Sequence, residues 1–162
     1  MKKIILSGFL LLFVSIFISL AEAGEYINHC PVPDNLKIIE PDRHSVPPKL
    51  ALLSGIWEGN WASAAIFIVE QIKGKEAVVV SAWAGFTAKT SAGRSSSPGF
   101  VRVNCPIEEG GDGNYRIICT VPTGTNRLIQ TDDPKHIRVM RDGFGNLSTH
   151  YRDTIFRKAE MK

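Results

Sequence analysis

The residues best suited to chemistry in this chain are its four histidines and three cysteines, but their spacing is poor for catalysis or metal binding. His29 directly precedes Cys30, which suggests a base beside a thiol nucleophile. However, neighbouring residues of a strand point to opposite faces, and no third group is placed to orient the imidazole. No histidine lies two or four residues from another histidine or cysteine. The sequence therefore predicts neither a catalytic thiol nor a metal site.

Two acidic pairs, Glu108-Glu109 and Asp132-Asp133, are the other candidates for chemistry. Each pair sits beside a predicted turn, whereas a glycosidase needs two carboxylates that face each other across a cleft. The chain also has no Gly-x-Ser-x-Gly elbow, no phosphate-binding glycine loop and no His-Glu-x-x-His motif. We therefore expect solvated turns at both pairs, no catalytic residue, no cofactor and no enzymatic activity.

The aromatic residues carry the stronger functional signal. Trp57 and Trp61 share one face of a predicted strand, and Phe67, Trp83 and Phe86 follow in the next hairpin and the loop that leaves it. Two interpretations are open, because these rings can pack as a core or line an apolar pocket in the mouth of a barrel. On the second interpretation they are the predicted ligand-binding residues.

The first 23 residues have the pattern of a cleaved signal peptide. Lys2 and Lys3 precede an apolar run over 4–20, and the small-x-small site 21–23 follows. A membrane anchor is the alternative, although the run is just shorter than the roughly 20 residues of a spanning helix. Cleavage leaves 139 residues with 17 basic and 15 acidic side chains, too small an excess to predict nucleic-acid binding. We expect a bacterial periplasmic or secreted protein with no membrane span after cleavage.

The elements that must position the aromatic residues read as strands. A proline-containing extended arm is predicted over 24–44 and a short helix begins the domain 45–162, because Ser45 can cap it and Gly55 can end it. The fold class is all-β, a single antiparallel up-and-down barrel of 8–9 strands preceded by this short N-terminal helix. The candidate strands are 56–61, 65–72, 76–84, 100–107, 115–121, 126–131, 136–141, 147–152 and 154–159.

Two of the cysteines fit one hairpin. If 110–114 is the turn, Ile107 faces Ile117 and Cys105 faces Cys119, with the hydrophobic residues of both strands on the same face. In an oxidising compartment this register predicts a Cys105–Cys119 disulfide. Cys30 is then left as a free thiol, an intermolecular bridge or the true partner of one of the other two.

The hairpin over 65–84 is apolar on both of its faces. A turn at 73–75 pairs Val69 with Val79, which puts Phe67 on one face and Ile68 and Ile72 on the other. One face must form the barrel interior, and the pattern does not say which. The other face needs a cover, for which the arm and a second subunit are the alternatives.

These features together resemble the lipocalin-like, or calycin, β-barrels. The resemblance rests on a short helix followed by Gly55-Ile56-Trp57 at the head of the first strand. It implies that Gly55 and Trp57 are structural, and that a basic residue of the last strand stacks on Trp57, with Arg157 as the matching position and Arg152 as the alternate. Thr131-Asp132-Asp133 is similar to the first two residues of the family's Thr-Asp-Tyr loop, without the tyrosine. It also implies a binding module for a small apolar or amphipathic ligand.

Three functions follow as hypotheses. The first is a periplasmic or secreted module that binds a small apolar or amphipathic ligand in the barrel. The second is a protein-binding module, such as a periplasmic inhibitor of a host hydrolase, with the loop 86–99 and its Lys89 and Arg94 as the contact surface. The third, an enzyme that uses Cys30 or a histidine at the barrel mouth, has no support in the spacing.

Overall fold

A computed structural model describes residues 25–61, 63–87, 95–122, 124–142 and 152–159. The predicted signal peptide and most of the candidate strand 147–152 lie outside the described residues, as does the middle of the loop 86–99. The elements of the described chain are β1 (Glu25–Ile27), β2 (Cys30–Val32), α1 (Pro48–Ala51), β3 (Gly55–Asn60), β4 (Ala64–Lys73), β5 (Glu76–Trp83), β6 (Phe86–Thr87), β7 (Ser95–Ser96), β8 (Gly99–Glu109), β9 (Tyr115–Val121), β10 (Gly124–Gln130), β11 (His136–Arg141) and β12 (Arg152–Lys158).

Eight of these strands form a closed antiparallel barrel. Its order is β3-β4-β5-β8-β9-β10-β11-β12, so each strand pairs with the next barrel strand along the chain, and β12 closes on β3. The closing pairs are Arg157 with Glu58 and Lys158 with Trp57. We call the end at which β3 begins the base and the end at which it finishes the mouth. The predicted all-β, up-and-down barrel is confirmed. In place of the helix expected over 45–54, α1 is a single turn.

The barrel interior holds one continuous apolar core. All eight barrel strands contribute to it, because inward-facing residues alternate with outward-facing ones along each strand. Val46, Leu50 and Leu53, which flank and include α1, pack into the same core from the base. The largest fully buried side chains of the barrel strands in this core are Trp57, Phe156, Ile117, Leu128, Ile137, Val69 and Val79.

A second apolar core lies outside the barrel, under the N-terminal arm. The β1–β2 hairpin turns at Asn28 and His29, which both have positive φ, and β2 packs on β4, β5 and β8. Cys30 and Val32 of β2 are fully buried there. The barrel residues beneath them are Ile56, Ile66, Ile68, Val80 and Ala82. The arm therefore covers the second apolar face of the hairpin β4–β5, and the Phe67 face is the one that points inward.

A β-bulge corrects one part of the predicted hairpin. Val69 pairs with Val79 as expected, but the register shifts between Val69 and Gln71, so β4 carries one extra residue. An extra residue reverses the alternation beyond it. Ile72, expected on the outer face with Ile68, therefore belongs to the inner core.

The bulge also places a buried acid where the arm crosses the barrel. Glu70 is 5% exposed, and its carboxylate accepts two hydrogen bonds from the Arg102 guanidinium, at 2.7 Å and 2.9 Å. Arg102 also donates to Asn35 Oδ1 at 3.0 Å, and the Lys37 backbone N–H donates to Glu70 at 3.2 Å. Because Asn35 and Lys37 belong to the arm, this cluster ties the arm to β4 and β8.

The predicted disulfide joins the two strands of the next hairpin. Cys105 and Cys119 are bonded to each other, and Ile107 pairs with Ile117 as the predicted register requires. Both cysteines are fully buried in the inner core. Cys30 is a free, buried thiol. Within the described residues, no helix has the length and apolar character needed to cross a membrane.

Candidate functional site

The base of the barrel is closed around Trp57. Its ring is 1% exposed, and its indole N–H donates to the Leu53 carbonyl at 2.8 Å, which ties the segment after α1 to the first barrel strand. Gly55 has a φ of +118°, a conformation that L side chains rarely adopt, and a Cβ there would lie 3.1 Å from Cε of Lys158. The start of β3 is therefore shaped by a glycine and filled by a tryptophan.

The cation on Trp57 is Lys158 and not Arg157. The Lys158 ammonium lies 5.3 Å from the centre of the Trp57 ring, within the range of a cation–π contact. Arg157 is exposed and pairs through its backbone with Glu58 and His136. The prediction was one residue out of phase, and on a strand one residue reverses the face. Arg152, the alternate, lies at the mouth end of β12, far along the strand from Trp57.

The five predicted ligand-binding residues divide between two environments. Trp57 and Phe67 are core residues, 1% and 3% exposed, and the tilted ring of Phe156 lies 5.4 Å from that of Phe67. Trp61 and Trp83 are half-buried at the mouth, and Phe86 begins the short strand β6 beyond it. Trp57 and Phe67 therefore belong to the core and do not line a pocket in the mouth.

The mouth combines an aromatic ring with two polar side chains, and we call Trp61, Asn126 and Arg141 the mouth cluster. Trp61 lies 5.9 Å from Phe156, and the Arg141 guanidinium lies 5.3 Å from the centre of the Trp61 ring. Asn126 and Arg141 are directly opposite each other on β10 and β11. Both lie in phase with buried core residues two positions away, so both belong to the inward face.

Asn126 is the most unusual member of this cluster. It is 2% exposed, and its side-chain Oδ1 is buried without a hydrogen-bond partner among the described residues. A buried acceptor left unpaired costs about 1–3 kcal/mol. Asn126 lies beside Cys119 on one strand and Arg141 on the other. The inner wall near the mouth therefore offers an acceptor and a guanidinium above an otherwise apolar core.

The first and last parts of the loop 86–99 pair with each other. Phe86 pairs with Ser96 and Thr87 with Ser95, forming the two-stranded β6–β7 ribbon. The indole N–H of Trp83 donates to the Ser97 carbonyl at 2.9 Å, which joins the residue that follows β7 to the end of β5. Lys89 and Arg94 lie outside the described residues.

The Cys30 thiol lies in an environment that suppresses nucleophilic chemistry. Burial raises the pKa of Cys30 to about 11, and the thiol donates to the Ala64 carbonyl at 3.4 Å. A thiolate is the reactive form, so a raised pKa lowers reactivity at neutral pH. His29 is exposed in the β1–β2 turn.

Glu108 and Glu109 are exposed at the end of β8, whereas Asp132 and Asp133 are exposed in the loop between β10 and β11. Asp133 has its pKa lowered by the backbone N–H of Lys135 and by His136, whose Nδ1 is 2.7 Å from the carboxylate. Thr131 donates to the carbonyls of Asp133 and His136, which closes the loop between β10 and β11 at the base. Among the described residues, no group of three or more histidine, cysteine or acidic side chains is placed to hold a metal ion.

Sequence reasoning missed Asn126, Arg141, Lys158 and the Glu70–Arg102 pair. The first two carried a usable signal, since each lies two residues from a hydrophobic core position on its own strand. The inward direction of Lys158 could have been predicted from Phe156, because residues two apart on a strand lie on the same face. Glu70 carried none, because a bulge is not visible in the alternation of an apolar strand.

Comparisons of the whole chain with protein-family models, with curated proteins and with solved structures gave no match.

Proposed function

We propose that this protein is a periplasmic or secreted binding module that holds a small amphipathic ligand in the mouth of a lipocalin-like barrel. The observation that carries the proposal is the mouth cluster. Its apolar surface is Trp61 above Phe156, and its polar groups are the Arg141 guanidinium and the unpaired Oδ1 of Asn126. A pocket with apolar walls and a few convergent polar groups is typical of a small-molecule site.

The chemistry of the cluster indicates which ligand groups fit. The half-buried Trp61 ring, which packs on the buried ring of Phe156, suits a ring or alkyl segment of the ligand. Arg141 suits an anionic or strongly accepting oxygen, and Asn126 Oδ1 needs an O–H or N–H donor. Since Trp57 and Phe67 are buried core residues, the ligand occupies the mouth half of the barrel and not its full length. The disulfide supports an oxidising compartment.

The test begins with native mass spectrometry of the mature protein isolated from the extracytoplasmic fraction of its producer. We expect a co-purifying small mass that is lost in Trp61→Ala. Binding of 1-anilinonaphthalene-8-sulfonate should weaken in Arg141→Met and be unchanged in Lys75→Met, an exposed cation in the turn between β4 and β5 at the opposite end of the barrel. No bound mass, together with equal dye binding by all the variants, would reject the mouth as a binding site.

Asn126→Leu gives the sharper experiment. Removing an unpaired buried acceptor should raise the free energy of unfolding by about 1 kcal/mol while it weakens ligand binding. A residue retained for packing would behave in the opposite way, because its replacement would reduce stability and leave binding unchanged.

A second candidate is a protein-binding module that uses the β6–β7 ribbon. The observation in its favour is that the ribbon is paired and attached through Trp83 to the barrel. If replacing 86–97 with a glycine-serine linker removes a partner captured from the same extracytoplasmic fraction and leaves dye binding intact, this function gains support. An unchanged partner would exclude the ribbon as the contact.

A further inference from the structure

We propose a second binding site, independent of the mouth, for a small amphipathic monocarboxylate in a groove on the outside of the barrel base. The groove has a volume of about 700 Å³ and lies between the arm, α1 and the adjacent ends of β3 and β12. Small-molecule sites commonly enclose about 300–1,000 Å³.

The walls of the groove are largely apolar and come from four separate segments of the chain. Leu52, just after α1, is 38% exposed and lines the groove. An alkyl segment in the groove would cover it. The apolar lining includes Ile38, Val46, Ala51, Leu52, Ile56 and Ala159.

Lys158 gives the groove its preference for an anion. It lines the groove, and its ammonium lies over the Trp57 ring, so the charge is positioned at the barrel base. The other two charged lining residues, Arg43 and Glu40, pair with each other at 3.2 Å and offset each other's charge. Within the described residues Lys158 has no carboxylate partner. One unmatched cation beside an apolar wall fits one carboxylate attached to an alkyl chain.

The test is a titration of the ¹⁵N-labelled protein with octanoate and, separately, with 1-octanol, which has the same chain length without the charge. We expect both to shift the amide signals of Leu52, Ile56 and Ala159, with octanoate binding about fivefold more tightly, as one partly exposed charge pair allows. Lys158→Met should reduce octanoate affinity about fivefold and leave octanol affinity unchanged, whereas Lys158→Arg should retain the preference.

Lys49→Met is the matched control, because Lys49 is an exposed lysine of α1 that does not line the groove. It should leave both affinities unchanged. If Lys158→Met is poorly folded, Leu52→Glu serves instead, since a carboxylate in the wall should weaken octanoate at least fivefold more than octanol.

Three results would overturn this site. Shifts confined to Trp61, Asn126 and Arg141 would place octanoate in the mouth. Equal affinities for octanoate and octanol would remove the role of Lys158. Shifts of the groove amides on dilution without ligand would show that a second copy of the chain occupies the groove. Failure of the mouth variants to change dye binding would leave this site unaffected, so the two proposals fail separately.

Discussion

The two ends of this barrel differ in how deeply a tryptophan is buried and in what its polar neighbours bind. At the base, Trp57 is buried, its indole N–H is bonded to Leu53, and Lys158 covers its ring. At the mouth, Trp61 is half-buried, Arg141 covers its ring, and Asn126 Oδ1 has no partner. Each end thus has a tryptophan under a cation, but the ring at the base is buried with its N–H bonded, whereas the ring at the mouth is half-buried beside the Asn126 acceptor. An aromatic–cation pair therefore has no fixed role, and the burial of the ring separates a plug from a candidate site.

The largest effect expected from this comparison is the loss of the plug. Trp57→Ala should lower the free energy of unfolding by about 3–5 kcal/mol, because it removes a fully buried ring and leaves a cavity under α1. Trp61→Ala, the matched change at the mouth, should cost about 1 kcal/mol, since its ring is only half-buried. Urea unfolding of both variants measures the difference. Equal losses would mean that the two ends are equally structural.

The next effect is that of the disulfide, which joins β8 and β9 in the inner core. Reduction should cost about 3 kcal/mol, because Cys105 and Cys119 close a loop of 14 residues. Thermal unfolding with and without a phosphine reductant measures it. Reduction should destabilise Cys30→Ser by the same amount, because Cys30 is not part of the disulfide. A Cys30→Ser protein insensitive to reduction would contradict the assigned pairing.

Features set within one hairpin could be predicted from the sequence, whereas features that depend on distant segments of the chain could not. The Cys105–Cys119 register followed from one hairpin in which alternation and sulfur pairing agree. The position of the arm did not, because a segment of prolines and isolated apolar residues has no periodicity that names its distant partner strands. Ile72 and Arg157 were misplaced because a single-residue shift, by a bulge or at a strand end, reverses a face. Of the candidate site, the half-buried rings and the inward phase of Asn126 were predictable from the sequence, whereas the unpaired state of its acceptor was not.

The outer core should show its own dependence on pH through Cys30. Burial raises the pKa of this thiol from 9.0 to about 11, so the unfolded chain loses the proton first as pH rises. Stability is therefore complete below about pH 9 and should fall by about 2 kcal/mol between pH 9 and pH 11. Chemical unfolding across this range measures the fall, and Cys30→Ser, which cannot ionise there, supplies the baseline. Parallel curves for the two proteins would contradict the burial of the thiol.

The smallest effect tests the arm's attachment. In Glu70→Gln the carboxylate that receives Arg102 loses its charge, and we expect a loss of about 1–2 kcal/mol, reduced by the partial exposure of Arg102. Asp153→Asn is the matched control, because its pair with Arg138 lies on the surface, and it should cost less than about 1 kcal/mol.

Hydrogen exchange locates the effect. Because Glu70 is also bonded to the Lys37 backbone, its loss should expose the amides of β1 and β2 before those of the barrel strands. If Glu70→Gln instead loosens β10 and β11, which do not contact this cluster, the arm is not an independently attached layer. In that case the outer core and the barrel would unfold as one unit, and the difference between the two ends of the barrel would not extend to its outer face.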